Sequence, residues 1–146
     1  MTPDPATVGR EFSTAVVMFH DAVADRLGLS AVDHKALGVV MRDGPITASR
    51  LAAELRMKPS AVTGLVDRLV AAGYVGRTPD PTDRRRVLIS AHAGRRPDLG
   101  AVFGRLGAAM AELAADYRPE ELAVILDYLG RATTVMREQT ARLHQE

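Results

Sequence analysis

Residues 73–90 read Gly73-Tyr-Val-Gly-Arg-Thr-Pro-Asp80-Pro-Thr-Asp83-Arg84-Arg85-Arg86-Val-Leu-Ile-Ser90, and here the chain changes its period. Residues 74–78 and 86–90 are short β-prone runs. The stretch between them is rich in Pro, Asp and Thr, so the segment predicts a hairpin with a long loop. Three consecutive arginines, Arg84, Arg85 and Arg86, stand at its tip. Immediately upstream, Val62, Leu65, Val66 and Leu69 recur at helical spacing over residues 59–72, with Pro59 suited to the first helical position and Gly73 to the stop. Met57-Lys58-Pro59-Ser60 is a tight turn, and before it a short helix capped by Thr47 carries Leu51, Ala52 and Leu55. Two helices joined by a few-residue turn, followed by a hairpin, predict a winged helix-turn-helix.

Working outward, Asp43-Gly44-Pro45 stops a helix that begins after Ser30 and is expected to bury Ala36, Leu37, Val40 and Met41. Ser30 followed by Asp33 resembles a capping box. Ile46, a single apolar residue, allows at most a very short strand. Over residues 6–27 the stripe Val8, Phe12, Ala15, Val16, Phe19, Val23 and Leu27 predicts an amphipathic helix ending at Gly28. Two further helices are expected over 97–116 and 119–143. The first carries Leu99, Val102, Phe103, Leu106, Met110, Leu113 and Tyr117; the second carries Leu122, Ile125, Leu126, Leu129, Ala132, Met136 and Leu143. Their alternating steps of three and four are those of interhelical seams, and stripes this long would be a liability if left exposed on a monomer. Pro119, Glu120 and Glu121 suit the start of the last helix.

The fold class is therefore mainly α with a small β-hairpin wing, in a single domain over 1–146 whose winged part spans 31–90. The chemistry of that part is legible. An α-helix fits the major groove of B-DNA, where its outward side chains read base edges. With the apolar positions turned inward, the helix over 59–72 presents Ser60, Ala61, Thr63, Gly64 and Arg68, small or hydroxylic near its N-terminal end. Lys58 and the helix N-terminus can hold phosphate. Arginines on a wing can enter a narrow minor groove, drawn by its negative potential. Asp67 would repel phosphate if it faced DNA, and is read as a partner for a nearby arginine.

In this setting 80–90, ending at Gly94, resembles the wing signature of the MarR family, D-x-x-D-R-R followed by a strand and a Thr/Ser-x-x-x-Gly helix start. Leu51-Ala-Ala-Glu-Leu55, Ser60-Ala-Val-Thr63-Gly-Leu-Val-Asp67-Arg68-Leu69 and Gly73-Tyr-Val75 are similar to that family's recognition-unit helices, in the same order and spacing. The resemblance covers nearly the whole chain. It implies a transcription regulator that binds double-stranded DNA as a homodimer, with Arg85 in the minor groove. Asp83 would steady that arginine by a charge-assisted hydrogen bond, and Ser60, Thr63 and Arg68 would contact DNA. It assigns dimerisation to the helices over 6–28 and 97–143, through residues such as Phe12, Phe19, Leu122, Leu129 and Met136. It further implies a repressor relieved by a small aromatic or phenolic effector, bound between the dimerisation helices and the winged part. Pro97 departs from the family pattern: the fifth helix either starts late, near Arg96, or kinks there.

Composition bounds the alternatives. The chain has 146 residues, 47% hydrophobic and 25% charged, with a net charge of only +1, so a basic face must be local. Lysine occurs only at Lys35 and Lys58, and every other basic side chain except the histidines is arginine, the better residue for forked contacts. Without cysteine there is no disulfide framework, cysteine zinc site or reactive thiol. The polar opening residues carry no signal-peptide pattern, no apolar run reaches membrane-spanning length, and a cytoplasmic location is expected. No nucleophile stands at recognisable spacing from a base, so an enzyme is not expected, nor a cofactor. His20, His34, His92 and His144 include no i, i+4 pair; Asp21 and Asp33 could add oxygen ligands only if helices converge, and no metal site is expected. Gly100, Gly104 and Gly107 share one face, which suits close helix packing or space for a small ligand. The competing function class is a winged-helix module that dimerises and contacts protein; the intact Arg84-Arg85 wing favours DNA.

Overall fold

Asp4 accepts hydrogen bonds from the amides of Ala6 and Thr7, and with Pro5 at the first position this starts helix α1 (Pro5–Leu27). The computed structural model describes residues 4–92 and 97–145, with side chains from 4–92 and 100–145. Gly28 ends α1 in the left-handed conformation, φ 66°, which glycine adopts without a Cβ penalty. The elements that follow are α2 (Ala31–Asp43), β1 (Ile46–Thr47), α3 (Ala48–Leu55), α4 (Pro59–Ala71), β2 (Val75–Pro79), β3 (Val87–Ala91), α5 (Pro97–Ala115) and α6 (Pro119–Leu143). The chain divides into two compact units, Met1–Val102 and Phe103–Glu146.

In the first unit the hairpin is part of a three-stranded antiparallel sheet in the order β1-β3-β2. Ile46 pairs with Ile89 and Thr47 with Leu88, so the very short strand allowed by Ile46 becomes the third member of the sheet. On the other side Arg77 pairs with Ile89 and Pro79 with Val87. The wing strands lie one residue later than the sequence pattern places them. The core beneath holds Leu37, Val40, Leu51, Val62, Leu65, Val66, Leu69, Tyr74, Val75 and Ile89, all nearly inaccessible. Burying a side chain of this kind contributes about 1.5–3 kcal/mol. The buried Tyr74 hydroxyl donates to the Leu27 carbonyl at 2.9 Å, tying the end of α1 to the foot of the wing.

Met41 corrects the expected core: it is 42% exposed. The buried face of α2 comprises Asp33, His34, Ala36, Leu37 and Val40, and Met41 falls at its edge. The capping box is also only half formed. Ser30 Oγ accepts from the Asp33 amide at 3.1 Å, but the Asp33 carboxylate turns elsewhere. Arg56 ends α3 in the left-handed region at φ 52°, an unusual position for a residue with a side chain.

Helix α1 is buried only near its end, at Val23, Ala24 and Leu27; Val8, Phe12, Val16, Val17 and Met18 are exposed. In the second unit α6 buries no residue at all. Arg118 precedes it, donating through its backbone N–H to Glu121 Oε2 at 3.0 Å and through Nη2 to Oε1 at 2.6 Å. Pro97 opens α5; the path from 93 to 96 lies outside the described residues.

Candidate nucleic-acid interface

The apolar stripe of α4 packs inward, and this fixes which residues look out. Ser60, Ala61, Thr63, Asp67 and Arg68 are exposed, and Gly64 is half-buried. The Thr63 hydroxyl donates to the Pro59 carbonyl at 3.2 Å, which leaves its oxygen lone pairs as acceptors on the helix surface. Lys58 is the residue before the helix, with no side chain capping the first turn among the described residues. Amide groups and a lysine at a helix N-terminus suit a phosphate.

The wing loop is organised by two aspartates. Asp80 is buried; its Oδ1 accepts from the Thr82 amide at 2.8 Å and the Thr82 hydroxyl at 2.7 Å, and these bonds hold its carboxyl below the usual carboxylate range. The Asp80 amide donates to the Arg86 carbonyl, closing the loop at 2.9 Å. Asp83 Oδ1 accepts from the Arg85 amide at 3.0 Å, and the Asp83 carbonyl from the Arg86 amide at 2.9 Å. The bond implied between Asp83 and Arg85 is therefore made to the backbone: Asp83 shapes the turn and leaves the guanidinium unengaged. Of the three arginines, Arg86 leans back, its Nε 3.9 Å from Asp80 Oδ2. Arg84 and Arg85 are exposed, with no side-chain hydrogen bond or ion pair among the described residues.

Two ion pairs brace α4. Asp67 accepts from Arg77 Nη2 at 2.6 Å, linking the helix to β2 as the sequence reading proposed for Asp67. Arg68, expected on the outward face and exposed there, is also gripped by Asp33 of α2: Nε donates to Oδ2 at 3.0 Å and Nη2 to Oδ1 at 2.7 Å. The Arg68 hydrogen bond is the main cause that lowers the Asp33 pKa, with burial opposing it. No local signal marks this pair, whose members are 35 positions apart. The Asp80–Thr82 turn was readable, because Asp commonly bonds the backbone two residues on.

On the other side of α2 the structure brings together two histidines that sequence spacing keeps apart. His20 Nδ1 and His34 Nε2 are 3.1 Å apart, and a proton on one ring nitrogen bonds to the other. His34 is buried and its Nδ1 has no partner among the described residues. Burial pushes the His34 pKa down, the neighbouring His20 pushes the same way, and Asp21 opposes. The pair lines a cleft of about 370 Å³ between α1 and α2, with Asp21, Lys35 and Arg42 at its walls. Among the described residues no three His, Asp or Glu side chains come together to hold a metal. No described helix is long and apolar enough to cross a membrane.

Of the expected dimer residues, Phe12, Leu129 and Met136 are exposed, while Phe19 and Leu122 are half-buried within the single chain. An added Cβ at Gly100, Gly104 or Gly107 would meet nothing within 4 Å.

A helix-turn-helix with an open second helix, beside a hairpin whose exposed Arg84 and Arg85 have no side-chain partner among the described residues, defines a winged-helix DNA-binding protein. The MarR family model matches residues 27–86. The chain is 38% identical to the HTH-type transcriptional regulator YcgE of Bacillus subtilis, over 93% of this chain and 88% of the relative. The crystal structure of the transcriptional regulator Tm0710 from Thermotoga maritima is similar at a TM-score of 0.63 and 29% identity, covering 93% of this chain and 96% of that one. A MepR variant from S. aureus, solved bound to an oligodeoxyribonucleotide, shares the fold at a TM-score of 0.58 and 17% identity, over 92% and 99% of the two chains. The protein belongs to the MarR family of DNA-binding transcriptional regulators.

Proposed function

We propose that this regulator is a repressor, binding a near-palindromic operator as a homodimer and releasing it when a small aromatic acid binds. The observation that carries the DNA-contact assignment is the pairing of an open α4 face, Ser60, Ala61, Thr63 and Gly64, with two exposed wing arginines, Arg84 and Arg85, that have no side-chain partner among the described residues of the same compact unit. Lys58 holds phosphate, the α4 face reads the major groove, and Arg85 enters the minor groove. The exposed apolar residues of α1 and α6 support dimerisation, since a face that long calls for a cover. Two-fold symmetry then sets the two recognition helices in successive major grooves, about 10 base pairs apart.

The cleft between α1 and α2 supports the effector reading. It lies between α1 and the winged part, it offers Lys35 as a cation for a carboxylate, and His34 brings a ring nitrogen with no partner among the described residues. A molecule bound there couples to DNA by holding α1 against α2, and a typical coupling is about 1–3 kcal/mol. The test is an electrophoretic shift on DNA from upstream of the protein's own gene, with and without added hydroxybenzoate. Specific retardation that hydroxybenzoate weakens is expected. Absence of any shift would overturn the operator reading, and a shift indifferent to hydroxybenzoate would overturn this effector class.

A further inference from the structure

Arg68 has a partner that its exposed position on α4 does not require. Its side chain is 60% exposed, yet its guanidinium meets a carboxylate that is only 7% exposed and belongs to a different helix. Both oxygens of Asp33 are engaged by this one arginine, through Nε and Nη2, in the two-bond arrangement that fixes orientation as well as distance. Asp33 is itself immobilised, with its amide bonded to the Ser30 hydroxyl in the first turn of α2. At the other end Arg68 stands beside Leu65 and Leu69, which are fully buried, so its Cα is anchored too.

A guanidinium offers donors on two edges. Asp33 occupies the Nε–Nη2 edge; the Nη1–Nη2 edge remains. Nη1 passes beside Gly64, where an added Cβ would lie 3.8 Å from it, so the second edge borders the open strip of Ser60, Ala61, Thr63 and Gly64. A two-donor edge is what recognises a phosphate or the acceptor pair of guanine. The charge of Arg68 is also answered locally by Asp33, so it adds little to the counterion release that drives sequence-independent binding.

We infer that Asp33 is a positioning residue for DNA recognition: it clamps one edge of Arg68 so that the other edge reads DNA in a fixed orientation, contributing discrimination between sequences more than general affinity. The inference rests on the reading that the outward face of α4 meets DNA. Freeing Arg68 should therefore have an effect opposite in sign to ordinary damage. It releases one uncompensated cation per subunit, raising affinity for any DNA while blurring the choice among sequences.

The experiment uses the full chain and two duplexes: one enriched by the wild-type protein from a random-sequence pool, and its scrambled counterpart. Each is titrated at several salt concentrations with wild type, Asp33→Asn, Arg68→Lys and Arg68→Ala, after thermal melts establish that each variant is folded. For Asp33→Asn, scrambled DNA should bind more tightly. The ratio of selected to scrambled affinity should fall by about fivefold or more, as loss of a good forked contact does. The salt slope should steepen by up to about two units for a dimer. A merely structural role for Asp33 would instead weaken both duplexes alike and leave the slope unchanged, which overturns the inference. If Asp33→Asn does not fold, Arg68→Lys decides: it keeps the charge but loses the fork, so retained discrimination overturns the inference and lost discrimination with retained scrambled affinity upholds it. Arg68→Ala separates the two levels. If it leaves discrimination intact, Arg68 does not read DNA and the contact assignment itself falls, as it does if the wild type enriches no sequence.

Discussion

Helices α4 and α6 carry the same kind of apolar stripe and have opposite surroundings. In α4, Val62, Leu65, Val66 and Leu69 are all at most 1% exposed. In α6 nothing is buried, and Leu129 and Met136 are 43% and 65% exposed. Periodicity establishes that a helix has an apolar face; it does not establish what covers that face. The stripe of α4 is covered within the chain, which leaves its polar face open for the DNA contact proposed above. The stripe of α6 awaits a cover, and a second copy of the chain supplies one in the dimer proposed above. The contrast predicts that equivalent changes in the two helices will be read by different instruments.

The largest expected effect is in the covered stripe. Leu69→Ala should destabilise the protein by about 2–5 kcal/mol, the usual cost of a cavity in a tight core. Urea denaturation at fixed protein concentration measures it, and a loss under about 1 kcal/mol would mean the core yields around the site. In the uncovered stripe, Leu129→Glu with Met136→Glu should weaken association by about 2 kcal/mol or more. Sedimentation should then find monomer at micromolar concentration, while far-ultraviolet circular dichroism keeps its helical signal. A double variant that remains dimeric would place the interface elsewhere and dissolve the contrast between the helices.

The same contrast explains what was legible beforehand. Helices, wing and inward residues of α4 follow from local patterns: spacing, turn-forming Asp and Pro, a proline at a helix start. The open recognition strip follows from them by subtraction. Met41 escaped because it lies on the margin of the α2 face, where spacing alone cannot separate edge from centre. Asp33–Arg68 and His20–His34 escaped for a deeper reason. Each joins two helices through polar side chains, and polar residues leave no periodic trace of what they face. Asp33 was assigned to its nearest local partner, Ser30, when only its amide serves there. The bond between Asp83 and Arg85 follows from the signature, but the signature gives an Asp before an Arg and not which N–H it receives, and the structure shows it to be the backbone amide.

A smaller effect is expected at the tip of the wing, where Arg85 is exposed and packs in no core. Arg85→Ala should leave stability unchanged and lower operator affinity by about 1–3 kcal/mol for each contact that reads a base edge. If both arginines of a dimer also neutralise phosphate, the salt slope flattens by about two units. Binding titrations at several salt concentrations measure both quantities. An Arg85→Ala protein with wild-type affinity and slope would mean that the wing does not touch DNA.

The smallest effect concerns His34, one titrating group beside the point where α1 passes from its exposed half, Val8 to Met18, to its buried end, Val23 to Leu27. In the unfolded chain a histidine titrates near pH 6.5. In the folded protein burial lowers the His34 value, with His20 adding to the shift and Asp21 opposing it. Between the folded and unfolded values the unfolded chain binds the extra proton, so stability rises with pH there. The contribution of neutral His34 is complete above about pH 6.5, declines as pH falls below that, and levels off once the folded value is passed. Asp33, whose pKa is lowered instead, keeps its contribution throughout the neutral range and loses it only as pH falls below the ordinary carboxylate value. Melting temperatures between pH 7.5 and 5 should therefore fall with acidity for the wild type, and His34→Gln, which can still bond to His20 but does not titrate, should lose most of that slope. A wild-type melting temperature that is flat across this range would mean that His34 accepts its proton at no cost, and that the α1–α2 junction is as wet as the uncovered half of α1 beside it.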